Sequence, residues 1–122
     1  MSENSLFKVD SITINGVGLA FEDGSARING VAGYTSNVVA SGSGPDFQSH
    51  QRVPRTIELN MQFGRAVNPD DLAKIDGARV VLKDTRAPRR CLATNCSFGS
   101  MGPVGGGTVQ LTLNVLDPFQ WL

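Results

Sequence analysis

The chain has 122 residues, with 11 basic and 11 acidic side chains, 18% charged residues and 14 glycines. That length accommodates one domain with a modest core, and low charge with many glycines describes a β-rich chain cut into short strands by turns. A formal net charge of zero speaks against a freely soluble nucleic-acid binder and removes the repulsion that keeps copies apart, so a self-assembling protein fits best.

Other classes fall away quickly. No apolar run approaches the ~18 residues that begin to span a bilayer. The opening Met-Ser-Glu-Asn-Ser has neither a basic nor an apolar signal region, so synthesis in a cytoplasm without signal-peptide export is expected. Two cysteines and one histidine make neither a disulfide framework nor a structural zinc site.

In chain order, short strands are expected over residues 9–14, 17–21, 25–29 and 33–40. Residues 41–52 follow as a glycine-rich loop, too long for a tight hairpin turn, and Phe47 is the only large apolar residue in it. Residues 56–63 then alternate clearly. Ile57, Leu59, Met61 and Phe63 face one way, while Thr56, Glu58, Asn60 and Gln62 face the other. A helix is predicted over about 69–76, because Asn68 is a good N-cap, Pro69 takes the first position and Asp70 and Asp71 suit the positive end of the dipole. Gly77 ends it. Strands over 79–83 and 90–98 come next, then a wide glycine-rich hairpin end over 102–107. The last strand, 108–116, sets Val109, Leu111, Leu113 and Val115 opposite Gln110, Thr112 and Asn114. Neither a repeat nor a second domain is visible. The expected fold is one mainly β domain over 1–122, an antiparallel β-sandwich or half-barrel with one short α-helix.

Enzyme constellations are weak. Asp70-Asp71 reads as cap and dipole partners, His50 as a solvated surface histidine, and Gly105-Gly106-Gly107 as a turn, since no helix N-terminus follows it to hold a phosphate. Arg86, Arg89 and Arg90 form one basic cluster; without an aromatic platform beside it, it reads as salt-bridging within the chain or between subunits. The expectation is a non-enzymatic protein with no cofactor and no metal.

The order of features resembles the tail tube proteins of contractile-tailed, Mu-like bacteriophages. The resemblance runs through Val31-Ala32-Gly33-Tyr34, a polar strand, the glycine-rich loop and the Arg-Thr-Ile-Glu-Leu-Asn-Met strand at 55–61. The Asp70-Asp71-Leu72-Ala73-Lys74-Ile75 helix, residues 78–83 and the alternating last strand complete it. It covers about residues 7–117 and rests on element order, with no catalytic motif. It implies six-fold rings stacked into a tube inside a sheath, each subunit giving strands to a shared β-barrel. The implied partners are further copies, the tail sheath, tape measure, baseplate and tail terminator proteins, and DNA that passes through the lumen unread; the implied location is the virion tail, assembled in the host bacterial cytoplasm. Independently, a channel barrel needs about 16 strands or more, which one such chain cannot supply. A tailocin or type VI secretion tube shares this reading. An isolated carbohydrate-binding β-sandwich is the rival from another class, and it needs an exposed aromatic platform.

Three expectations follow for particular residues. The wet-face residues Thr56, Glu58, Asn60, Gln62, Gln110, Thr112 and Asn114 include no Lys or Arg, as suits a lumen where cations would hold DNA phosphates. Phe47, with Pro45, Asp46 and Arg52, is the expected inter-ring contact; by resemblance, the corresponding loop in the family reaches the adjacent ring. Cys91 and Cys96 fall on opposite faces if their strand is regular, with Cα atoms about 16 Å apart against a ~7 Å disulfide limit. Two free thiols are therefore expected, at least one in the core, with an outer-face thiol cross-linking to a neighbouring subunit or to the sheath as the alternative.

Overall fold

The alternating segments become strands because each must bury one apolar row and wet the other. The computed structural model describes residues 6–65 and 67–122. Its elements are β1 (Ser11–Ile14), β2 (Val17–Gly18), β3 (Arg27–Asn29), β4 (Tyr34–Val39), β5 (Phe47–Arg52), β6 (Arg55–Gln62), α1 (Pro69–Ala73), β7 (Ala78–Asp84), β8 (Arg89–Met101), β9 (Thr108–Val115) and β10 (Gln120–Trp121). The main sheet runs β2-β1-β7-β8-β9-β6-β3, with β10 also paired to β8. Every pairing in it is antiparallel.

The core lies on the concave side of this sheet. Ile57, Leu59 and Met61 stand opposite Leu113, Leu111 and Val109 in register, and Ile12, Val80, Leu82 and Ala93 complete the buried cluster. A single sheet can hide one dry face only by curling, and here the curl is laced along its open side. Leu19 N–H donates to the Ile12 carbonyl at 2.9 Å, Gln62 N–H to Ala20 at 3.0 Å and Glu22 N–H to Asn60 at 2.8 Å. The segment after β2 thus ties β1 to β6, and Phe21 forms a bridge to Met61. Over the described residues the protein is a mainly β, antiparallel half-barrel with one short helix.

The helix begins as its sequence dictates: the Asn68 side chain accepts from Asp70 N–H at 3.1 Å, and Pro69 occupies the first turn. It ends at Ala73, short of the expected 76. The Ile75 N–H bonds back to Leu72 in a tightened last turn, and the Ile75 carbonyl accepts from Phe98 of β8. Docking onto the sheet therefore takes over the carbonyl that another helical turn would use. Leu72 and Ile75 pack against the core, without which so short a helix would not persist.

Three other expectations change. Residues 47–52 form β5, not loop, and pair rung for rung with β4 in a separate two-stranded sheet, leaving a connection of residues 40–46. Strand β8 begins at Arg89 and runs to Met101, beyond the expected 90–98, because its second half carries β9. Finally, Gln120 and Trp121 form a short strand against Leu92 and Cys91. They occupy a stretch of β8 that β9, paired from Cys96 onward, leaves free.

Candidate assembly surfaces

The seven predicted polar residues share one face of β6 and β9. Thr56 stands opposite Asn114, Glu58 opposite Thr112 and Asn60 opposite Gln110, with Gln62 ending the row opposite Thr108. Gln62, Gln110 and Asn114 are exposed, and the other four are half-buried. Strand β3 extends the face, setting Asn29 beside Thr56, with Asn29 Nδ2 donating to Thr56 Oγ1 at 3.2 Å, and Arg27 opposite Glu58. A cation therefore does border this face, supplied by a strand whose pairing only the fold discloses. Glu22 accepts from Asn60 Nδ2 at 3.3 Å, beside an open polar cleft that also reaches Ser25, Arg27 and Gln110.

The second surface is the β4–β5 arm. All six residues of each strand are exposed, because neither face of Tyr-Thr-Ser-Asn-Val-Val or Phe-Gln-Ser-His-Gln-Arg is continuously apolar. Phe47 is 69% exposed, Val39 52% and Val38 71%. The expected contact group Pro45, Asp46, Phe47 and Arg52 is thereby split. The first three lie at the tip, where Asp46 Oδ1 accepts from Ser41 N–H at 3.0 Å. Arg52 lies at the foot, opposite Tyr34. His50 is exposed as expected, but it sits in a strand, hydrogen-bonded through Nδ1 to Ser36 Oγ at 2.7 Å and edge-on to Tyr34. This open hairpin has no walls to exclude water from the Ser36–His50 pair.

The arm is anchored by close backbone approach. Gly30 has φ +71°, and a Cβ there would run into the carbonyl of Pro54. Gly33 has φ +83° and covers the Arg55 guanidinium, 2.8 Å from where its Cβ would stand. Val53 N–H donates to Gly33 O at 3.0 Å. Arg55, half-buried at the end of the inward row opposite Val115, leaves its Nε without a partner.

Both thiols are free and fully buried. Opposite faces were expected, but β8 is bulged. Ala93 stands opposite Val80 and Cys96 opposite Ala78, three steps along β8 against two along β7, with Asn95 at φ +83°. The extra residue turns an odd separation into a shared inward face. Burial pushes each thiol up to about 11. Neither reaches an outer surface, so the folded chain presents no thiol for the cross-link considered above.

Sequence reasoning missed two groupings. Arg86, Arg89 and Arg90 make no ion pair within the described chain, where Lys8–Asp23 is the pair formed. Arg89 instead lies 4.9 Å from the centroid of Trp121, which meets Phe7 edge-on, so an aromatic partner exists 32 residues away in sequence. Asp84, buried at the end of β7, accepts from the backbone N–H groups of Lys8, Arg86 and Ala87. The Asp-x-x-Ala turn signalled the last of these contacts but not Lys8, 76 residues distant. Searches against models of known protein families and against curated proteins found no match to this sequence.

Proposed function

We propose that this protein is the structural subunit of a phage tail tube, in which six-fold rings stack into a hollow tube that conducts DNA within a contractile sheath. The observation that carries the reading is the arm. Two antiparallel strands with no buried residue are marginal alone in water, and three or more strands or a packed face are normally needed. A hairpin of this kind gains its support from another copy. Its free edges and those of the main sheet offer places for such pairing.

The polar face supports the same role. Amides, hydroxyls and one carboxylate on β6 and β9 would wet a channel wall without holding phosphates, and Arg27 lies opposite Glu58. The sheath, tape measure, baseplate and terminator proteins are the partners this role requires, and the virion tail is the location. A tailocin or type VI tube would use the same subunit in the same way. The carbohydrate-binding alternative is less favoured: Tyr34 and Phe47 lie at opposite ends and on opposite faces of the arm, and Trp121 is engaged by Phe7 and Arg89. No flat aromatic platform results.

Replacing residues 35–51 with a short glycine turn tests the reading. The shortened chain should melt like the parent and sediment as a monomer at concentrations where the parent forms large assemblies. Parent-like assemblies from the shortened chain would remove the arm from the mechanism.

A further inference from the structure

A second exposed apolar feature lies below the arm. Phe7, Ala26, Ile28, Val31 and Trp121 line a cleft of about 360 Å³, formed where the incoming N-terminal segment, β3 and β10 meet. Lys8 also lines it, but its ammonium is paired with Asp23 at 3.2 Å; Arg89, which lies over Trp121 at the edge, is the cation that the apolar cleft offers a partner. The arm tip has the opposite character. Val39 and Phe47 share a rung and a face, and Asp46 is the single formal charge between Val38 and Gln51. One carboxylate oxygen of Asp46 accepts from Ser41 N–H, and the residue is exposed at the tip.

We propose that the arm tip of one copy docks in the Trp121 cleft of the next, with Phe47 entering the cleft and Asp46 meeting Arg89. This names the partner surface for the arm and rests on the assembly reading above. Apolar knob, apolar socket and opposite charges all occur on the same chain, which makes a second copy the occupant. A chain cannot fill its own cleft. Phe47 lies opposite Val39, five residues beyond Tyr34, or about 17 Å along the arm from the foot where Val31 sits. The contact therefore joins two different patches. Repeated, it builds a closed ring or an open filament according to the rotation between copies.

Two single variants, Phe47→Cys and Val31→Cys, test this under mild oxidation, since both native thiols are buried. The mixture should give a covalent dimer that neither variant gives alone, and one chain carrying both changes should give a ladder. A charge exchange supplies the second arm. Asp46→Arg and Arg89→Glu should each raise the concentration needed for assembly by about tenfold, and mixing the two should restore it. Dimers from Phe47→Cys alone would mean tip-to-tip contact and overturn the proposal. So would rings or tubes in which the mixed pair never cross-links, a result that leaves the tube reading standing. Mixed dimers from a parent that forms only solid oligomers would keep the socket and remove the tube. A parent monomeric at every concentration, with no mixed dimer, would remove both.

Discussion

Asp84 fastens the incoming N-terminal segment to the turn after β7 by accepting three backbone N–H bonds, the shortest from Lys8 at 2.9 Å. The Lys8 N–H is the main cause that holds its carboxyl below the ordinary value of 3.8, and the Ala87 and Arg86 N–H groups act in the same direction. Because the folded value is depressed, the stabilisation is complete above the unfolded value and is lost as pH falls through the folded one. Asp84→Asn should therefore melt lower than the parent near neutral pH, and the difference should shrink below pH ~4; circular-dichroism melts across that range check it. The thiols behave in the opposite sense. Their values rise from 9.0 to about 11 on folding, so the stability they contribute is intact below pH 9 and declines between 9 and 11. Replacing both with Ala should flatten that part of the pH–stability curve. At pH ~8 a thiol reagent should label neither cysteine until denaturant is added.

At the scale of elements, the arm's foot depends on glycine at one position above all. Gly16 and Gly30 both have positive φ, but a Cβ at Gly16 meets open space, whereas one at Gly30 meets the Pro54 carbonyl. Gly30→Ala should cost roughly 1–3 kcal/mol more than Gly16→Ala in denaturant unfolding. Legibility in the sequence followed the same division. The β6 and β9 rows were readable because each has one continuous dry face, and the helix start was readable because Asn68 and Pro69 act locally. Strand β5 was not, because a hairpin wet on both faces has no alternation to detect. The bulge at Asn95 was hidden for a related reason: no glycine marks it, and only the pairing of Cys96 with Ala78 reveals which face the thiol takes. Arg27 and Trp121 were missed as parts of surfaces because both reach their neighbours through long-range pairing.

At the scale of the whole molecule, one curled sheet supplies the stability and leaves two features outside the core, a polar β6–β9 face and an unsupported arm. A solitary soluble domain has little use for the second, and the zero net charge does nothing to hold copies apart. Electron microscopy of the concentrated, purified chain is the most direct test. A tube subunit should give rings or hollow tubes with six-fold cross-section, with the side chains of Glu58, Asn60, Gln110 and Thr112 facing the lumen. Particles that stay monomeric at every concentration, or tubes that turn this face outward, would contradict it.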